Sequence, residues 1–365
     1  MMKKSMLKKI VALATGVIVA FALTMLLGGC KSEEEALPEE NIDYEIALVT
    51  DDSLVMDGGH SETAWNAITE FGGTHGISHK YYKATEQTDA AYIEAIKAAI
   101  NKGAKVVIID NSMMANAVYN MQEKYPEIDF VMLDASSTDP DKGESLLMKN
   151  TVAADFDSAQ AGYLAGYAAV IDGSTELGFI GQSEAADIKA FGCGYVKGAE
   201  RAAGELGTTV TMDYKYCDGT DREAVYKEAI RMYDDGAQVI FAAGSNVQDA
   251  VIEAAEAKDG KVIGSCTDQS GKSDTVITSA IYGIRGALKE ILDGYSKGKF
   301  PGGIVLPFNA SNEGIGLELK NNHLKNLTQA QYDAVYKSLA SGEISINADR
   351  VESVEDIITV NLTFK

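Results

Sequence analysis

The sequence predicts an α/β protein built as two doubly wound, parallel-sheet lobes joined by a hinge. Three observations carry this. From about residue 44, short apolar, β-branched runs alternate with amphipathic stretches of about ten to fifteen residues, the pattern of right-handed β-α-β units. The alternation pauses and starts again near residue 157. The chain has 365 residues, and the part beyond its N-terminal segment is longer than one hydrophobic core usually supports.

The first run opens with residues 45–50, which read as a strand. Residues 62–71 read as a helix ended by Gly72 and Gly73. A strand follows at 78–83, then a helix at 88–101 stopped at Gly103. Residues 105–110 are apolar with almost no polar alternation, as a strand covered on both faces requires. A helix at 113–124 and a strand at 128–133 close this run. In the second run the helices are 157–171, 186–206, 222–234 and 247–257, and the strands 177–181, 209–216, 238–243 and 261–264. Segments 302–318 and 357–364 read as strands without helical partners, which argues against the rival reading, a single eight-stranded (β/α) barrel. No Pro-rich or Ser-rich linker separates the runs, as expected if several short crossings join the lobes. The expected division is 43–154 with about 281–303 for the first lobe, and 155–280 with about 304–365 for the second.

The N-terminus carries a separate message. Lys3, Lys4, Lys8 and Lys9 precede an uncharged apolar run over residues 10–27, closed by Gly28, Gly29 and Cys30. This is the layout of an export signal over residues 1–29. A retained membrane-spanning helix is the alternative. Leu27-Gly28-Gly29-Cys30 resembles the lipobox of bacterial lipoproteins, which makes Cys30 the expected lipidation site and the chain's hold on the membrane. Residues 30–42 are acidic and short of apolar groups, and read as a tether. The chain has 32 basic and 54 acidic residues, a formal net charge of −22. Such a surface repels nucleic acid, which binds through Lys and Arg. Cys193, Cys217 and Cys266 lack C-x-x-C spacing, so neither a thiolate metal cluster nor a disulfide framework is expected.

In open α/β sheets, ligands bind beyond the carboxyl ends of the strands. That rule selects Asp51, Asp57, His60 and Ser61 after the first strand, and Asn111 after the third. In the second lobe it selects Gly244, Ser245, Cys266 and Asp268. Gly244 and Ser245 precede a helix and could offer backbone N–H groups to a ligand oxygen. Phe191 and Tyr195, four apart on a helix, suit a cleft wall and the core about equally. Trp65 reads as core. The Asp51, Asp52 and Asp57 cluster lacks the alternate spacing of a calcium loop. His75 and His79 have zinc-like spacing, but Gly76 and the strand predicted from Ser78 break the shared helical face, so no metal or cofactor is expected. The motifs of serine hydrolases, phosphate loops and zinc proteases are missing, and the chain does not read as an enzyme.

The segment Ala47-Leu-Val-Thr-Asp-Asp-Ser-Leu-Val-Met-Asp57, with Ala64-Trp65, resembles the opening motif of the basic membrane protein family, the PnrA-like lipoproteins. Five further stretches match it in order: Gln160-Ala-Gly-Tyr-Leu-Ala-Gly166; Leu177-Gly-Phe-Ile-Gly181 with Phe191, Gly194, Tyr195 and Gly198; Val239-Ile-Phe-Ala-Ala-Gly244; Ile263-Gly264 with Asp268-Gln269; and Val276-Ile-Thr-Ser279. The resemblance implies a type I periplasmic-binding fold and the role of solute-binding component of an ABC importer, with a nucleoside or related solute as ligand. By that likeness Asp51 and Asp57 match the family's first motif. His60 stands where the family commonly has a base-stacking Phe, and Ser61 where it has Asn. Cys266 stands at the ribose-binding Asp, and Tyr282 at a Lys. An ABC permease and its ATPase are the implied partners, and a lipid-anchored monomer on the extracytoplasmic face is expected. A surface sensor that transports nothing, and a secreted nucleoside or sugar hydrolase, are the other functional classes compatible with the sequence.

Overall fold

A computed structural model describes residues 43–51, 55, 58–348 and 353–365. The expected signal, Cys30, the tether and Asp57 lie outside the described residues. The chain runs through β1 (Ile46–Thr50), α1 (His60–His75), β2 (His79–Lys83), α2 (Asp89–Asn101), β3 (Val106–Ile109), α3 (Ala115–Lys124), β4 (Asp129–Leu133) and β5 (Thr151–Phe156). It continues through α4 (Ser158–Ile171), β6 (Glu176–Gly181), α5 (Ala186–Leu206), β7 (Val210–Tyr216), α6 (Arg222–Asp234), β8 (Val239–Ala243), α7 (Ser245–Lys258), β9 (Lys261–Cys266) and β10 (Val276–Tyr282). Then come α8 (Ile284–Ser296), β11 (Ile304–Phe308), β12 (Ile315–Leu317), α9 (Gln329–Ala340) and β13 (Leu362–Phe364).

Among the described residues these strands form two sheets, as the sequence predicts. The first has the order β11-β5-β4-β3-β1-β2, the second β12-β10-β9-β8-β6-β7-β13. Every pairing in the first sheet is parallel. In the second, only β12 on β10 is antiparallel. Buried strands explain the apolar runs: β3 and β8 are buried at every position. Helices α2 and α3 seal one face of the first sheet around Tyr92, Ile96, Val118 and Phe130. Helices α6 and α7 seal one face of the second around Val225, Met232 and Val251. The remaining faces share one continuous core, from Ile46 and Phe71 in the first lobe to Phe179 and Phe241 in the second.

The chain crosses between sheets three times, after Phe156, after Tyr282 and after Phe308. The last crossing falls after Phe308 and not near residue 304, because β11 pairs with β5 in the first sheet. The predicted strand at 302–318 therefore splits, its two halves lying in different sheets. β5 was not expected: Thr151-Val-Ala-Ala-Asp-Phe156 runs into α4 with no turn residue to mark its end. α8 and α9 were also not expected.

Helix α4 is buried at every position except Gln160, as a helix apolar all round must be. It lies against α5 at backbone contact distance. A Cβ on Gly162 would overlap the Phe191 carbonyl, and one on Gly166 the Tyr195 carbonyl. Reciprocally, Gly194 faces the Ala159 carbonyl and Gly198 that of Tyr163. Four glycines thus set the distance between two helices. Gly166→Ala is expected to destabilise the fold by about 1–3 kcal/mol, the usual cost of overpacking. Gly286→Ala, in open space on the exposed face of α8, should instead stabilise by about 0.5–1 kcal/mol. Thermal melts of the two variants check both signs.

Candidate functional site

The carboxyl ends of the two sheets face one cleft. On the first-lobe side Asp51 ends β1, buried, and its Oδ2 accepts a hydrogen bond of 2.8 Å from Asn111 Nδ2 at the end of β3. Asn111 Oδ1 in turn accepts from the Met113 backbone N–H. Two sequence-predicted residues from separate strands are therefore one hydrogen-bonded unit. His60 opens α1 with Ser61 beside it. The His60 Nε2 is buried and meets no hydrogen-bond partner among the described residues, and desolvation lowers this imidazole to a pKa of about 4.

On the second-lobe side, the loop after β9 is fixed by a buried polar relay. Gln248 on α7 holds Ser265 by accepting its N–H and donating to its carbonyl. Ser265 Oγ accepts from the Gly244 N–H at 2.9 Å. Gly244 has φ 107°, and a Cβ there would overlap the Gln182 side chain. Gln182 Oε1 takes the Asn246 N–H at the start of α7. The N–H groups of Gly244 and Asn246 are thus already engaged within the protein. Ser245 stays exposed.

Cys266 is held at φ 67°. Its thiol is desolvated, and burial pushes it up, with the Asp134 charge adding to the shift. Tyr282 is buried, its hydroxyl 2.7 Å from Ser158 Oγ and its ring stacked on Phe156. Burial raises the Tyr282 phenol well above its usual value. The two residues that stand at the resembled family's Asp and Lys positions therefore sit at adjacent strand ends, and both are neutral.

Thr267 carries the contact that spans the cleft: its Oγ1 donates to the Gly58 carbonyl of the first lobe at 3.4 Å. Gln269 steadies it, donating from Nε2 to Thr267 Oγ1 at 2.8 Å, and is itself held by Ser279 Oγ on its backbone N–H. A cavity of about 540 Å³ lies at other strand ends, lined by neither Thr267 nor Gly58. Asp134, Asp155 and Ser158 line it from the first-lobe strand ends and the crossing, Phe156 and Phe308 from the crossings, and Asp187 from the first turn of α5. Asp134 sits at φ 55°. Burial raises its carboxyl to about 8, with the charges of Asp187 and Asp155 adding to the shift.

The structure thus brings together Asp51 and Asn111 as a hydrogen-bonded pair, sets Cys266 and Tyr282 at the ends of two adjacent strands, and places His60, Gly244 and Ser245 at the strand ends and helix starts that border the cleft. Two predicted residues sit elsewhere. Phe191 is fully buried, stacked on Tyr282 and edge-on to Phe241, and supports the cleft floor from the core. Asp268 caps its own loop through the Ser270 N–H and meets Asn321. Sequence reasoning missed Thr267, Ser158 and Asp187. A strand-end rule cannot find Asp187, which belongs to a helix start. Its signal is an acidic residue in a first helical turn.

Two pH effects follow. His60 is less basic folded than unfolded, so the unfolded chain binds more protons between about pH 6.5 and 4, and stability is lost as pH falls through that window. His60→Phe removes the buried, unpartnered nitrogen, and its melting-temperature advantage over the native chain should grow as pH falls from 7 towards 4. Asp134 has the opposite sign. Its folded pKa is raised, so its cost appears as pH climbs from about 4 through 8. Asp134→Asn should gain on the native chain as pH rises to 9. Parallel melts across this range check both.

Comparison with known proteins places this geometry. The chain is 26% identical over 369 residues to a Lactococcus lactis protein named ABC transporter nucleoside-binding protein BmpA, covering 93% of this chain and 99% of the relative. The solved structure of an ABC transporter solute-binding protein from Conexibacter woesei superposes with a TM-score of 0.67 at 20% identity, covering 83% of this chain and 99% of that one. One from Aeropyrum pernix gives 0.63 at 18%, covering 86% and 90%. These likenesses show the shared two-lobed fold. Residues 45–350 match the family model described as ABC transporter substrate-binding protein PnrA-like, and the chain belongs to that family.

Proposed function

We propose that this chain is the lipid-anchored solute-binding component of an ABC importer. On this reading Cys30 carries the lipid, residues 30–42 tether the domain to the extracytoplasmic face, and the cleft takes up a nucleoside-like solute for delivery to a permease and its ATPase. The observation that carries the reading is the Thr267–Gly58 contact, which joins the lobes over a cleft lined by strand-end polar groups. Ligand groups that touch both lobes favour such a closed arrangement, and closure is then a population shift set by the difference in affinity. The name of the Lactococcus lactis relative supports a nucleoside as the first class to test. Asp51 and Asn111 would meet the polar edge of the solute, and Thr267 would report closure. Among the described residues no helix is long and apolar enough to cross a membrane.

A thermal-shift series on the full chain in detergent tests this against nucleosides, free bases, pentoses and hexoses. A ligand that binds only the folded state raises the melting temperature in step with its concentration, by about 2.7 kcal/mol of stability at a hundredfold excess over Kd. A nucleoside should do so. Thr267→Val should weaken that response several-fold, while the ligand-free chain loses about 1–3 kcal/mol because Gln269 Nε2 loses its partner at Oγ1. A response confined to sugars would overturn the nucleoside assignment and keep the solute-binding role.

A further inference from the structure

His60 opens α1 four residues before Ala64, the first of the helix's buried stripe of Ala64, Ala67, Ile68 and Phe71. At a period of about 3.6 residues the imidazole continues that stripe. The stripe shares a core with Ile46 and Leu48 of β1, so His60 stands on the sheet-facing side of α1, at the carboxyl end of the strand. Side chains on a helix lean towards its N-terminus, and this N-terminus borders the cleft. The turn before it is held from both sides. Glu62 Oε2 accepts from the Gly58 N–H at 2.7 Å, and Thr267 of the second lobe donates to the Gly58 carbonyl at 3.4 Å. His60 is thus two residues from a contact that joins the lobes.

The hydrogen bonding of this side chain is incomplete. Its Nε2 is buried and meets no partner among the described residues. Desolvation keeps the ring neutral at pH 7, so it offers one N–H and one lone pair. Asp51 and Asn111, at the same sheet edge, already bond each other, whereas His60 is left open. For packing alone an apolar ring would serve better, because a buried nitrogen without a partner destabilises the fold. We propose that His60 is a specificity-determining residue, its open imidazole nitrogen pairing with an uncharged hydrogen-bonding group that the solute brings into the cleft. The assignment rests on the solute-binding reading of the cleft. In a nucleoside the group is either the exocyclic substituent of the base or a hydroxyl of the sugar, and both pair with a neutral imidazole.

The test is isothermal titration of the full chain in detergent with adenosine and four analogues. Purine riboside lacks only the exocyclic amine, and the three deoxyadenosines each lack one sugar hydroxyl. The native chain should bind one analogue at least tenfold more weakly than adenosine, because the buried nitrogen is then left unpaired. His60→Phe keeps a ring and removes the nitrogen, and should bind adenosine and that analogue within about threefold of each other. A loss at purine riboside assigns the contact to the base, and a loss at a deoxyadenosine assigns it to the sugar. His75→Phe, on the exposed last residue of the same helix, should keep the native ratio. If His60 only packs, its substitution weakens all five ligands alike and leaves every ratio unchanged. That result, or a native chain that binds all five equally, overturns the assignment and leaves the solute-binding role standing. If the native chain binds none of the five, the nucleoside reading falls and this assignment falls with it.

Discussion

Everything in this fold hangs on one aromatic stack. Three strands cross from one lobe to the other, and each reaches its crossing with an aromatic residue: Phe156, Tyr282 and Phe308. Phe156 lies 4.8 Å from Tyr282, nearly parallel, and 5.5 Å from Phe308. Phe191 continues the stack beneath Tyr282. This is why the cores of the two lobes merge under the cleft while their outer faces remain separate. Aromatic pairs contribute about 0.5–1.5 kcal/mol each beyond the area they bury. Their larger effect is to fix where three chain crossings meet, and so the position of one sheet's strand ends relative to the other's.

The same stack determines what the cleft can do. Tyr282 is committed on its face to Phe156 and at its hydroxyl to Ser158, whose own backbone begins α4. α4 is in turn locked to α5 by the paired glycines, and α5 carries Asp187 in its first turn. A continuous set of rigid contacts thus runs from the crossing point to a carboxylate on the rim of the cavity. Cys266, on the strand next to that of Tyr282, belongs to it too. A charged group at either Cys266 or Tyr282 would need the partners a buried ion requires. Here both positions hold neutral groups, the Tyr282 hydroxyl paired with Ser158, and the acids of the cavity are Asp134, Asp155, Asp157 and Asp187.

Much of this was legible in the sequence, and the exceptions have physical causes. The two-lobed architecture follows from β-α-β periodicity, which survives in the buried runs at β3 and β8 because both faces of those strands are covered. β5 escaped notice because its alanines carry weak strand preference and because Asp157 serves at once as the end of a crossing and the cap of α4. The true pairing of β11 could not be read because an edge strand announces its neighbours only in three dimensions. Its Ile304 and Val305 are about half exposed, so they show no buried pattern. At the site, the strand-end rule found Asp51 and Asn111 but not that they bond each other. It found Cys266 but not the left-handed backbone that turns it towards Tyr282. It selected Asp268, whose short side chain is consumed by the loop it sits in.

Asp134 shows why a residue can be retained against its own stability cost. An acid held at φ 55° and desolvated opposes folding through its backbone and through the cost of keeping it protonated, a cost that grows as pH climbs towards about 8. Nothing within the described residues offsets that cost with a donor. Local rules broken without a compensating contact concentrate at functional positions, and the position here is a strand end at the mouth of a cleft.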